Sequence, residues 1–154
     1  MELKISWNSP LQLRYQPDEN ALYGIELEGI PEQPGIYLFL REWGGVHHVL
    51  YVGKANKLKT RVSQQLNNMK LMRGIEKASS GARLLTVGRY NPNKGAKLKV
   101  MLPMIERALI RHYLDLGHSL LNIQGTNIVK HTISSDRTDL KELIPKTIYF
   151  EKKK

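Results

Sequence analysis

Two tyrosines, Tyr37 and Tyr51, stand in neighbouring strand-like runs, "GIYLFL" and "VHHVLYVG". The second run passes through Gly53 and Lys54 into the basic segment "KLKTRV", which ends near Arg61. Tyrosine is common in strands, and a phenol with a pKa of about 10 is no base at neutral pH unless positive charge lies close by. Lys54 and Arg61 are such charges. Gly53 lets the backbone turn closely and delivers Lys54 at the strand's end. A planar guanidinium also matches the two non-bridging oxygens of a phosphodiester. Taken singly, each of these residues has an ordinary structural explanation; together they have the makings of a phosphate site.

A carboxylate adds to the set. In "LKVMLPMIERALIRHYLDLG", a step of about 100° per residue puts Leu102, Ile105, Leu109 and Tyr113 on one helical stripe. Glu106 falls in the middle of it, beside Leu102, Leu109 and Ile110, while Arg107 and Arg111 point elsewhere. A carboxylate there must be paired, neutralised or bound to a cation. Spacing leaves two readings open: an internal ion pair with one of the many Lys or Arg residues, or a hard divalent cation held by Glu106 and waters.

The elements that must position these groups can be read from pattern. "GIYLFL" (35–40) and "VHHVLYVG" (46–53) form a hairpin, with "REWGG" supplying turn residues. Asn56 is placed to N-cap a helix over "KLKTRVSQQLNNM", with Leu58, Val62, Leu66 and Met69 on one side. "GIEKASS" reads as a short helix or an irregular connection. "ARLLTVGRY" (82–90) is a third strand, closed by the loop "NPNKG". Pro103 suits a first helical turn, so the long helix is expected from about Leu102 to Gly117. "LLNIQGTN" turns away, "TDLKELIP" suggests one more helical turn, and "TIYFEKKK" a short strand or tail. Residues 1–30 hold one alternation, "LQLRY", and read as an N-terminal extension packed on the domain. The pattern is α+β, in one domain spanning 1–154.

Composition narrows the function classes. Lys plus Arg number 24 against 14 for Asp plus Glu, a formal charge of +10 with a pI near 9.8. That excess favours a polyanionic partner. Cysteine is absent, which excludes disulfides, thiolate nucleophiles and Cys-ligated zinc. No apolar run approaches the roughly 20 residues that span a bilayer, and "MELKISWNSP" lacks a signal-peptide layout. A cytoplasmic protein with no membrane partner is expected. Lys57, Lys59 and Arg61, with Lys94, Lys97 and Lys99 of "NPNKGAKLK", form candidate nucleic-acid contacts that read backbone rather than base.

These residues resemble the GIY-YIG nuclease superfamily, in a form similar to the N-terminal nuclease domain of bacterial excision-repair nucleases. Gly35-Ile36-Tyr37 is the first name-giving motif, and Tyr51-Val52-Gly53 the second. The tyrosine-to-arginine spacing reaches Arg61, Glu106 matches the family's metal-binding glutamate, and Asn122 in "LLNIQG" matches its closing asparagine. The resemblance covers residues 34–124 and leaves an N-terminal extension, 1–33, and a C-terminal extension with a basic tail, 125–154. It implies a small three-stranded antiparallel sheet flanked by helices and a nuclease that cuts DNA with one Mg2+ or Mn2+ ion.

Carried over, Glu106 would ligand the metal and Arg61 would hold the phosphate. One of Tyr37 and Tyr51 would help to activate water while the other orients. Lys54 would bind phosphate or lower a phenol pKa, and Asn122 would orient a neighbour. Two departures stand out. The loop between the tyrosine motifs is slightly longer than in the repair enzymes. Gln65 also occupies a position where many relatives carry tyrosine or histidine, which leaves His47 and His48 as other proton carriers or as exposed strand-end residues. The expectation is a divalent-metal-dependent DNA endonuclease, monomer or homodimer. Its alternative is a catalytically weak nucleic-acid-binding module that targets a partner enzyme to DNA; an RNA substrate is the third reading.

Overall fold

The computed structural model describes residues 2–123, 128–136, 139, 140 and 143–153. In chain order the strands are β1 (Ile5–Trp7), β2 (Leu11–Gln12), β3 (Arg14–Tyr15), β4 (Tyr23–Gly24), β5 (Gly35–Trp43) and β6 (Val46–Ala55). Helices α1 (Leu58–Leu66) and α2 (Met69–Lys77) follow, then β7 (Ala82–Tyr90), α3 (Leu98–Asp115), β8 (Ile128–Ser134) and β9 (Thr147–Lys153). The fold is α+β around an antiparallel sheet in which β5 lies between β6 and β7. These are the three expected strands. The sheet is wider than expected because β1 and β2 both pair with β7, so the N-terminal extension is part of the sheet rather than a cover on it.

The hairpin is longer than "GIYLFL" suggested. Arg41, Glu42 and Trp43 remain in β5, and the turn is Gly44–Gly45 alone, with φ of 60° and 78°. Two successive positive φ values match the right-handed twist of the flanking strands, and glycine adopts them at no steric cost. The register shifts between Phe39 and Leu40: Phe39 faces Tyr51, whereas Leu40 faces Val49. Leu50 is the extra residue of a β-bulge, and it turns to the same core as Tyr51. Strand alternation then sorts the motif residues. Tyr37, Phe39, Tyr51 and Gly53 share the face covered by α1 and α2, while Ile36, Leu38, Val52 and Lys54 share the face under α3.

Three helix expectations are corrected. The helix expected to run through Met69 splits at Asn67–Asn68, because Asn68 Oδ1 accepts from Leu71 N and caps α2. "GIEK" is therefore the end of α2. Asn56 is not the cap of α1; Lys57 holds that position without a side-chain bond. The first amides of α1 are taken up by the preceding segment: Leu58 N by Gln33 O, Lys59 N by Pro31 O and Thr60 N by the Glu32 carboxylate. Thr60 Oγ1 donates to the same carboxylate at 2.7 Å, and these bonds hold the Glu32 acid below its usual range. Finally, α3 begins at Leu98, so Pro103 is interior. The amide that proline lacks would have bonded Lys99 O, and both residues border an open groove rather than the core. In "TDLKELIP" residues 138, 141 and 142 lie outside the described residues, while Leu143 N and Ile144 N both donate to Leu140 O, at 3.0 and 2.8 Å, which closes one turn of chain.

Arg83 on β7 closes α2. Its guanidinium donates to the carbonyls of Ile75, Glu76, Ala78, Ser79 and Gly81 at 2.8–3.4 Å. A helix end leaves its last carbonyls without partners, and here one side chain reaches five carbonyls in and beyond that turn. Arg83→Ala is expected to destabilise the protein by about 3 kcal/mol or more in urea melts, since partly buried carbonyls lose charged donors. Arg83→Lys should recover little, because an ammonium cannot span the same set.

Among the described residues the outer edge of β6 carries no further strand. Instead, Val49 N donates to His118 Nδ1 at 2.9 Å, and Asn122 bonds both the N–H and the carbonyl of Val52 at 2.9 and 2.7 Å. These side chains stand in for the missing ladder. Burial, with His48 and His112 close by, holds the His118 pKa below the ordinary 6.5. The unfolded chain thus takes up the proton first as pH falls. This stabilisation is complete above about pH 6.5 and is lost as pH drops toward the depressed folded value. In His118→Asn the thermal midpoint should fall less between pH 6.5 and 5 than in the parent.

Candidate active site at the rim of β6

The motif residues meet at residues 51–54 of β6 and approach from both faces of the sheet. From the α1 side comes Tyr37. It is 1% exposed, and its ring lies across Gly53, where an added β-carbon would run into the ring and the phenol oxygen. Tyr51 stacks on it with ring centroids 6.2 Å apart, and Phe39 meets Tyr37 edge-on at 5.9 Å. The phenol oxygen of Tyr37 accepts from Gln65 Nε2 at 2.7 Å, and Gln65 Oε1 in turn accepts from Asn68 Nδ2 at 3.0 Å. Gln65 is itself 2% exposed. It fixes the Tyr37 hydroxyl, a partnership that sequence inspection missed because a buried glutamine carries no periodic signal.

Burial dominates the chemistry of Tyr37. It pushes the phenol up to about 12, against the lowering effects of Gln65 and the Arg61 guanidinium, with Tyr51 adding to the rise. At neutral pH Tyr37 is therefore a protonated phenol whose oxygen accepts from Gln65.

From the α3 side come Lys54 and Glu106. Their Nζ and Oε2 atoms are 3.1 Å apart, with side chains 41% and 21% exposed. The ion-pair reading of Glu106 is thus realised, and its partner is a residue expected at the phosphate. Glu106 sits between the buried Leu102 and Ile110, half-buried itself, with Arg107 and Arg111 exposed. A pair this close to water contributes roughly 0–1 kcal/mol, so an incoming anion and cation can separate it at small cost.

Beside the rim lies an open groove of about 670 Å3 between α1 and the start of α3. Lys54, Lys57, Arg61 and Lys99 are its cations, and Ala55, Leu98, Leu102 and Pro103 form apolar wall. Arg61 is exposed and donates to Gln64 Oε1 at 3.4 Å. Its effect on the Tyr37 phenol ties the groove to the tyrosine side of the site. Lys59 lies outside the groove lining, and Lys94 and Lys97 are exposed on the loop leading into α3. Asn122 reaches only the Val52 backbone, a positioning contact on the strand that carries Tyr51, Gly53 and Lys54. His47 is exposed and faces Glu42 at 3.4 Å, while His48 stacks near His118; neither touches the rim.

Residues 33–88 match the family described as the UvrC-like GIY-YIG domain. This segment is a GIY-YIG domain of the UvrC-like type. A search of curated proteins and a search of solved structures each returned no match. The matched part of the GIY-YIG domain holds Tyr37, Tyr51, Lys54 and Arg61 and ends at Gly88. Glu106 and Asn122 lie beyond it; they join the motif through space, by the bonds to Lys54 and Val52. No helix among the described residues is long and apolar enough to cross a membrane.

Proposed function

We propose that this chain is a divalent-metal-dependent endonuclease that hydrolyses DNA phosphodiester bonds at the rim of β6. The observation that carries the reading is the Lys54–Glu106 pair beside the Gly53 shelf on which Tyr37 lies. A hard cation of the Mg2+ or Mn2+ type fits these residues. Such ions are bound through one or two carboxylates and complete their shell with water and substrate phosphate. Glu106 is one half-buried carboxylate paired with the groove residue Lys54, and among the described residues no cluster of three or more acidic or histidine side chains offers a full protein cage. When bound, the ion supplies Lewis-acid stabilisation of charge on the scissile phosphate.

The chain's own groups then have distinct tasks. The substrate phosphate draws Lys54 away from Glu106, which frees the carboxylate for the cation. Arg61 grips the non-bridging oxygens from the groove side, in the bidentate manner open to a guanidinium. Tyr37 keeps its proton and orients a phosphate oxygen or the attacking water by donating to it. Tyr51, stacked against it and less buried, is left as the relay: its oxygen accepts a proton from the attacking water as its own phenolic proton passes to solvent. Lys57 and Lys99 hold flanking phosphates, with Lys59, Lys94 and Lys97 as outer contacts.

Incubating supercoiled plasmid with the protein and Mg2+ or Mn2+ should give nicked product, and EDTA should stop it. No nicking with either ion would overturn the reading. Matched DNA and RNA strands compared in the same assay should show preference for DNA. One observation favours a second reading, a DNA-binding module without chemistry: Glu106 is already neutralised by Lys54, and Tyr37 holds its proton firmly. That module would bind DNA in a salt-sensitive way and leave the plasmid intact under every ion.

A further inference from the structure

The hairpin that carries the motif also carries, at its far end, a second cationic cleft and an exposed tryptophan. There β5 and β6 run out to the Gly44–Gly45 turn, and Trp43 faces Val46 across the hairpin. The two are 64% and 55% exposed. A β-carbon on either turn glycine would meet nothing within 4 Å, so the tip projects into solvent. Two residues further into the hairpin, at the facing pair Arg41 and His48, is a cleft of about 460 Å3 whose lining also includes Lys77, Ser79 and Ser119. Arg41 gives one N–H to Ser80 O at 3.1 Å and keeps the others for a ligand. Among the described residues Lys77 has no carboxylate partner. The nearby Glu42 is engaged with His47.

A flat aromatic ring at the tip of a hairpin, with cations on the strands behind it, is suited to one kind of surface. The ring can stack on a base pair whose neighbour is missing, while the cations meet the phosphates beside it. A closed duplex offers the phosphates but no free stacking face. We propose that the Trp43–Val46 tip and the Arg41/His48/Lys77 cleft form a second DNA-contact site that recognises the point where a duplex opens into a fork or flap.

This inference rests on the nuclease reading and adds a substrate class to it. It also sets a ruler. Val46 and Gly53 face Trp43 and Tyr37 on β5, which has no bulge and puts them six residues apart, about 20 Å at roughly 3.3 Å per residue, or about six nucleotides at 3.4 Å each. Cleavage should therefore fall about six nucleotides from the opening.

The chain has two tryptophans, so Trp7→Phe leaves Trp43 as the sole emitter. In EDTA, titration of this variant with forked DNA should quench and shift its emission, whereas a closed hairpin duplex with no free ends should not. Arg41→Ala/Lys77→Ala should weaken forked-DNA binding about tenfold and reduce the slope of log affinity against log salt by up to about 2, with closed-duplex binding nearly unchanged. Trp43→Ala should abolish the preference for forked DNA, with its thermal midpoint reported alongside. Unchanged Trp43 emission at saturating forked DNA, or an unchanged fork-to-duplex ratio in both variants, overturns the proposal and leaves the nuclease reading standing. Failure of the parent to bind any DNA by anisotropy overturns both.

Discussion

Glu106→Gln is expected to slow DNA cleavage about 1,000-fold while leaving the fold and DNA affinity nearly intact. Glutamine keeps the shape of the side chain and removes its charge, so the change isolates the electrostatic contribution. A cation polarising a phosphate supplies several kcal/mol in the transition state, and about 4 kcal/mol corresponds to a factor of 1,000. The loss of the Lys54 pair should cost under about 1 kcal/mol of stability, because both partners reach solvent. Lys54, no longer held at 3.1 Å by a carboxylate, becomes free for phosphate, so affinity should stay equal or rise. The check is a single-turnover rate on end-labelled DNA, with binding in EDTA and a thermal melt on the same preparations. A rate within tenfold of the parent, from a variant that melts like the parent, removes Glu106 from the chemistry.

Gly53→Ala should damage both the fold and the reaction. The new methyl group would occupy space that the Tyr37 ring already fills, against Cζ, Cε2 and the phenol oxygen. That ring has nowhere to go: Phe39 and Tyr51 flank it, and Gln65 holds its hydroxyl. Overpacking of this kind costs about 1–3 kcal/mol even where neighbours can adjust. Here the upper end is expected, and a displacement of about 1 Å in a reacting group can lower a rate about 100-fold. Tyr37→Phe is the informative companion. It keeps the ring and its packing, and strands the buried Gln65 donor at a cost of roughly 1–3 kcal/mol. Cleavage per folded molecule should fall in both variants. If Gly53→Ala melts and cuts like the parent, the shelf has no role.

The sequence was informative where one residue type had one physical meaning. "GIYLFL", "VHHVLYVG" and "ARLLTVGRY" appear as β5, β6 and β7, because apolar β-branched and aromatic runs have few other uses. Glu106 was conspicuous because a carboxylate breaks an apolar stripe. What escaped notice depended on partners distant in sequence. The cap of α1 comes from residues 31–33, the closure of α2 comes from Arg83, and the edge of β6 is held by His118 and Asn122. The bulge at Leu50 was equally hidden; it lies just beyond the Phe39–Tyr51 pair and resets the register of residues 46–49 against β5. Placing both tyrosines beside Lys54 required seeing that β6 is an edge strand, so that groups on opposite faces meet at its rim. Strand alternation alone would have kept them apart.

The central claim is that the rim at residues 51–54, with Glu106, binds the cation that assists phosphodiester cleavage. Crystals soaked with Mn2+ and a short non-hydrolysable DNA strand test it most directly through anomalous scattering. The account predicts a peak beside the Glu106 carboxylate, with Lys54 turned away toward a phosphate and no such peak in Glu106→Gln crystals. Strand density in the groove with no peak at Glu106, or an equal peak in Glu106→Gln, would contradict it.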